Sequence, residues 1–283
     1  MSLRTTNRGE VSRGLASRGA ASSVLYDAPG VRTKRRSRMI SWVVAAVVLG
    51  VVGYSTFTLG SQGLFDAKRW DIFNDPLVWL DLLRALGTTL LAAAIAGTGA
   101  ILLGMVLALL RLAASRWIRI PTTVVLEILR GLPVLLLMLF ILLVFRVNPF
   151  VSVVVALVLY NGAIIGEALR SGLVALPRGQ REAGLAIGLS GLQTRLLIEF
   201  PQAFRNMLPI IIAQLVVLLK DTSLGYIVGM LELLRRGRLI SENFGAGTYA
   251  FSVFLVMVAL YLAVNLTVSF IARTVAKRVN RAR

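Results

Sequence analysis

The sequence predicts an all-α integral membrane protein with six transmembrane helices, and three observations carry that expectation. The chain is 57% hydrophobic and only 16% charged, against about a quarter charged in soluble domains, and its mean hydropathy is +0.80. Six apolar runs, 40–60, 86–110, 122–145, 150–169, 207–231 and 250–272, each approach the roughly 20 residues that cross about 30 Å of hydrocarbon. The Lys and Arg residues also fall unequally on the two sides these runs define. With the N-terminus inside, 22 lie in inner segments, 7 in outer segments, and Arg130 and Lys220 within spans. Such a bias orients a multi-pass chain with both termini in the cytoplasm.

Composition also excludes chemistry. Cysteine and histidine are absent, which removes thiol redox, Cys/His zinc sites and His-based acid–base catalysis. No carboxylate pair or nucleophile–base set can be assigned, so the chain is not expected to be an enzyme, and no cofactor or metal site is expected in it. The net charge of +18 is dispersed over loops rather than gathered on one face, which argues against a nucleic-acid partner.

Residues 1–39 are Arg-rich and poor in large apolar groups, the composition of a disordered cytoplasmic tail. No small-x-small cleavage site follows the run from Ile40, so 40–60 is a first transmembrane helix rather than a secretory signal. Residues 61–85 place Asp66, Asp71, Asp75 and Asp81 among aromatics, as suits an external loop or interfacial helix. In the second span Ala92, Ala96, Ala100, Gly104 and Ala108 recur every fourth residue and predict a seam of close helix packing. A basic tail, 273–283, closes the chain.

Charge at membrane depth is costly and normally faces a partner or a water-filled cavity. Glu127 and Arg130 stand early in the third span, three residues apart, so they can pair on one helical face. Gly131 and Pro133 follow and can free backbone groups to line a cavity or gate. Glu167 stands at the inner end of the fourth span, and Lys220, Asp221, Thr222 and Ser223 form the densest polar cluster in the fifth. These seven residues are candidates for a substrate path or gate; pairing that merely holds the spans in register is the alternative.

Between the fourth and fifth spans lies a loop, 171–206, whose segment EAGLAIGLSGLQTRLLIEFP (182–201) is charged and punctuated by glycine. Arg178 to Leu189 can form a short helix, broken by Gly188 and Gly191. Ser190 and Gln193 have capping-box spacing, so a second helix is expected from there to Phe200, where Pro201 restricts it.

The spacing of Glu182, Ala183, Gly184, Gly188, Ile198 and Pro201 resembles the coupling loop of ABC-importer permeases, EAA, three residues, Gly, nine residues, I-x-L-P. Gly184 stands for the second Ala and Phe200 for Leu. EILRGLPVLLLMLF (127–140), LYNGAIIGEALRSGLVALPRGQREAG (159–184), FPQAFRNMLP (200–209) and KDTSLGYIVG (220–229) resemble the polar-amino-acid permeases of the histidine/glutamate type. SVLYDAPG (23–30) and the extra first span look most like the D-type permease of a glutamate importer.

The resemblance implies one N-terminal helix added to a five-helix ABC type I importer permease core over 86–272. It also implies a docking role for the six loop residues, in which Glu182 faces polar groups of an ATPase while Ala183, Gly184 and Gly188 permit close approach. Its implied partners are two ATPase subunits that bind ATP and Mg, a second and non-identical permease subunit, an external substrate-binding protein and a polar amino acid, with glutamate favoured. The setting implied is membrane lipid in a prokaryotic plasma membrane. The competing expectation is a self-sufficient, ion-gradient-driven secondary transporter or channel. The chain has no G-x-x-x-x-G-K-[ST] motif and no Gly-Lys dipeptide, so it lacks that phosphate-cradling loop.

Overall fold

A computed structural model describes residues 31–281, with side chains over 36–274; residues 1–30, including SVLYDAPG and most of the expected basic tail, lie outside the described residues. Two units are described. The first holds helix α1 (Val31–Ser61) and the turn to Phe65. This helix begins nine residues ahead of the expected span, and its Met39–Ser61 stretch is uncharged and apolar on every face, as a lipid-crossing segment requires.

The second unit, Asp66–Arg283, is built on α2 (Pro76–Arg111) and α5 (Pro149–Val174). Pro76 sits in the first turn of α2 and Asp75 caps it, the carboxylate accepting from Leu77 N at 2.8 Å. Asn148 caps α5 in the same way, accepting from Val151 N at 2.9 Å. The two helices run parallel and pack along the predicted small-residue seam: Ala92, Ala96, Ala100, Gly104 and Ala108 are all buried. A Cβ on Gly104 would stand 2.8 Å from Ile165 Cγ2 and 3.0 Å from the Gly166 backbone nitrogen. That separation admits no side chain, and in lipid such close backbone contact is the main source of helix association.

The third apolar run is not one straight helix. It is α3 (Arg116–Gly131) and α4 (Val134–Phe145), set 104° apart. Leu132 and Pro133 are both extended, ψ 134° and 128°, because proline biases its predecessor away from the helical basin and cannot itself donate to the ladder. Among the described residues, five helical stretches are thus long and apolar enough to cross a membrane, Arg36–Ser61, Pro76–Arg111, Pro149–Val174, Gly191–Tyr226 and Ala246–Thr274; the bent pair makes a sixth if counted as one span.

The fifth run also differs from expectation. Helix α8 (Phe200–Asp221) passes into a 3-10 turn, Thr222–Tyr226. Residues 232–249, expected as an external loop, fold largely as α9 (Leu233–Phe244), followed by α10 (Ala246–Arg281). Glu232 starts α9: its buried carboxylate accepts from Leu234 N (2.9 Å), Arg235 N (2.7 Å) and Tyr261 Oη (2.7 Å). Burial pushes that carboxyl above the ordinary glutamate range, while the three donors pull it back. Arg236 ties α9 to Asp81 of α2 at 2.6 Å. The helix therefore lies along α2 and α10 and buries Leu233, Gly237, Ile240 and Ser241.

Candidate functional site

The loop between α5 and α8 is a rigid hairpin. Helix α6 (Arg178–Ala186) ends in a Schellman motif. Gly188 adopts φ +88°, its N–H donates to Leu185 O (3.0 Å), and Leu189 N–H donates to Gly184 O (3.2 Å). The expected capping box then opens α7 (Gly191–Thr194): Ser190 Oγ accepts from Gln193 N at 3.3 Å, and Gln193 Oε1 accepts from Ser190 N at 2.8 Å. Both ends of the turn are thus satisfied locally.

The second helix does not stop at Phe200. A π-helical turn, Arg195–Glu199, carries it into α8. Pro201 has no N–H to give the fourth residue before it; the widened turn, with Phe200 N bonded to Arg195 O, lets the chain pass the proline without a break.

Of the six loop residues singled out, the structure turns some outward and some inward. Glu182, Ala183 and Pro201 are exposed. Gly184 is buried against the same hairpin: a Cβ there would stand 2.5 Å from Thr194 Cγ2 and 3.0 Å from Ile198 Cδ1. Its smallness serves contact within the chain. Gly188 is needed for its left-handed backbone. The outward face is apolar instead, with Ile187 75% and Leu192 62% exposed.

A residue that sequence reasoning missed anchors the hairpin. Arg195 Nη1 donates to Leu112 O, just past α2, at 2.7 Å, and its Nε lies 3.8 Å from Glu199 Oε2. The only sequence signal was its spacing of four from Glu199. A cleft of about 390 Å³ opens beside it, lined by Leu112, Pro177, Arg181, Glu182, Arg195 and Glu199 among others.

The intramembrane charges divide into two groups. Glu127, Arg130 and Glu167 belong to an ion network completed by Arg111 and Arg170, which the span boundaries had assigned to loops. Glu127 lies 3.1 Å from Arg111 and 3.5 Å from Arg130. Glu167 pairs with Arg111 and takes two bonds from Arg170, at 3.0 and 2.7 Å. Arg111 Nε also donates to Thr123 Oγ1 at 3.2 Å. The network joins the ends of α2 and α5 to α3.

Lys220 and Asp221 behave otherwise. They stand where α8 gives way to the 3-10 turn, and neither side chain has a hydrogen-bonding or ion-pair partner among the described residues. Thr222 is fully buried and donates to Leu219 O at 2.7 Å. Ser223 is half-buried and donates to Lys220 O at 2.8 Å. Below them, Gln214 Nε2 donates to the buried Asn161 Oδ1 at 2.8 Å and cross-links α8 to α5.

Residues 100–281 match the family model for the inner membrane component of binding-protein-dependent transport systems. The chain belongs to that family. This permease is 37% identical over 237 residues to the glutamate transport system permease protein GluD of Corynebacterium glutamicum, covering 80% of this chain and 85% of that one. It is 35% identical over 176 residues to the probable glutamine ABC transporter permease protein GlnP of Bacillus subtilis, covering 58% and 79%.

Among solved structures, it matches a chain of an amino acid ABC transporter crystallised with histidines. The TM-score is 0.63 at 27% identity, over 70% of this permease and 94% of that chain. An inward-facing form of the methionine ABC transporter MetNI gives a TM-score of 0.63 at 18% identity, over 72% and 99%, and shares the fold. The permease is therefore an all-α, multi-pass inner membrane subunit of an ABC transport system and not itself an enzyme.

Proposed function

We propose that this permease forms the translocation path of an ATP-driven importer for a polar amino acid, glutamate above others, and receives the work of ATP hydrolysis through the 182–201 hairpin. The observation that carries this reading is the hairpin's build. Its turn is closed by a Schellman motif and a capping box, its base is tied to α2 through Arg195, and it presents an exposed apolar face at Ile187 and Leu192. An element whose turn is bonded at both ends can transmit displacement without melting. Its outward apolar surface, together with Glu182, Ala183 and Pro201, suits the groove of a partner; Gly184, Gly188 and Ile198 hold its shape.

The partners in this reading are two ATPase subunits carrying ATP and Mg, a second and non-identical permease, and an external binding protein. Both termini lie in the cytoplasm, on the side richer in Lys and Arg. Glutamate is favoured by the extent of the likeness to GluD. Unpartnered Lys220 and Asp221 offer a cation for a carboxylate and an acceptor for an ammonium, with Ser223 beside them. Thr222, bonded to the backbone, supports that turn from within. Glu127, Arg130 and Glu167, held with Arg111 and Arg170, act as a gate at the inner ends of the helices.

Co-purification from membranes containing all the subunits tests the assignment. Glu182→Lys and Ile187→Asp change exposed side chains without touching the turn and should release the ATPase. Retention of the ATPase by both variants overturns the placement of the docking face. Gly188→Trp is unsuitable, because the positive φ would break the turn itself.

A further inference from the structure

A second feature lies on α10. Tyr261, Asn265, Ser269 and Arg273 occupy every fourth position of a helix whose other residues over this stretch are apolar except Thr267, so they share one face. That face lines a groove of about 570 Å³, whose opposite wall carries Lys220 and Ser223. From Tyr261 to Arg273 the helix rises roughly 18 Å, more than half of a hydrocarbon layer of about 30 Å.

Three details set this groove apart from an ordinary lipid-facing furrow. Asn265 donates Nδ2 to Tyr261 O at 2.8 Å, but its Oδ1 is buried and has no donor among the described residues; that deficit calls for water or a ligand. Lys220 and Arg273 both enter the groove, and neither is ion-paired among the described residues. Among the described residues no carboxylate lines it: Asp221, although adjacent to Lys220, does not. Lipid tails against Lys220 and the Asn265 oxygen would leave both unsatisfied, at a cost that favours water along this polar strip of a groove whose remaining lining is Leu234, Phe254, Met257, Val258, Leu262 and Leu266.

We propose that this groove is a water-filled lane that takes an anionic amino acid from Lys220 towards the membrane face at Arg273, and that Arg273 selects for negative substrate charge. This rests on the reading of the chain as an amino-acid importer subunit. It adds the route, the α10 residues that line it and the charge class they favour.

The chain contains no cysteine, so single-cysteine variants report on one position each in the assembled, reconstituted complex. Asn265→Cys and Ser269→Cys are compared with Ala263→Cys and Phe270→Cys, exposed positions of α10 outside the groove, using a charged, water-soluble methanethiosulfonate applied to both sides. The two groove thiols should react at least about tenfold faster than the controls, because such reagents attack hydrated thiolates, and glutamate should slow them. Rates equal to the controls in both nucleotide-free and ATP-bound complexes overturn the lane.

Arg273→Gln should lower glutamate uptake by about tenfold relative to glutamine uptake, the loss of one charged contact. An equal effect on both substrates overturns the charge assignment. Failure of the wild-type complex to import any amino acid with ATP would instead strike the parent reading, and the labelling rates would still judge the lane.

Discussion

Restoring the second Ala of the EAA pattern should harm this protein unless a neighbour shrinks with it. In Gly184→Ala the new Cβ would lie 2.5 Å from Thr194 Cγ2 and 2.9 Å from Thr194 Oγ1, where ordinary contacts begin near 3.4 Å. Relieving nearly 1 Å of overlap costs about 1–3 kcal/mol, while Gly to Ala within a helix returns about 0.8–1.0 kcal/mol. The net destabilisation of hairpin docking is up to about 2 kcal/mol, or roughly thirtyfold in the opening equilibrium. Thr194→Ala removes the two Thr194 atoms, leaving only the flexible Ile198 Cδ1 at 3.0 Å, and takes away a buried hydroxyl that has no hydrogen-bond partner among the described residues. The double variant should therefore recover, with a coupling energy of about 1–3 kcal/mol. Hydrogen exchange of the α6 amides in the purified complex measures this directly. Wild-type protection in Gly184→Ala, or persistent loss in the double variant, would refute the packing that underlies it.

Three further outcomes follow from the same geometry. Ser190→Ala should loosen the start of α7 by about 0.5–2 kcal/mol and weaken ATPase retention, with Ser190→Asp restoring both, because only a capping acceptor is lost; equal behaviour of the two variants counts against the box. Glu167→Gln leaves Arg111 and Arg170 without their shared carboxylate and should lower stability by about 1.5–3 kcal/mol, read as a fall in Tm of the complex that Gln at exposed Glu182 does not produce. Glu232 gives a pH signature: its folded-state pKa is raised by burial, so its contribution is fullest below the ordinary glutamate range and fades as pH rises through the raised value. Glu232→Gln should flatten that slope in a Tm-against-pH series, whereas Glu232→Ala should lower Tm throughout by stranding the Leu234 and Arg235 N–H groups and the Tyr261 hydroxyl.

Local chemistry was legible in the sequence wherever residues close in the chain decide the outcome. Ser190 and Gln193 announced their capping box, the Gly188 break was visible, and the Ala92–Ala108 stripe marked the seam with α5. Tertiary satisfaction was not legible. Arg111 looked like an ordinary loop cation because its carboxylate partners, Glu127 and Glu167, come from other helices, and Arg170 because the expected span ended at 169, one residue short of it and apart from its own helix partner Glu167. Residues 232–249 looked like an external loop because Arg235, Arg236 and Arg238 raise polarity, whereas Glu232 caps a helix held by Asp81 and Tyr261. Pro201 signalled a stop, but a π turn absorbs its missing N–H. Pro133 signalled only freed backbone, and the 104° bend depends on Leu132 leaving the helical basin with it.

The central claim is that the 182–201 hairpin delivers work the chain cannot generate itself, and ATP-driven uptake of labelled glutamate by the fully reconstituted importer tests it most directly. Wild type should accumulate substrate only with its ATPase and ATP present, and Ile187→Asp should abolish accumulation while the permease remains assembled in the membrane. Accumulation driven by an ion gradient without the ATPase, or undiminished by Ile187→Asp, would contradict it.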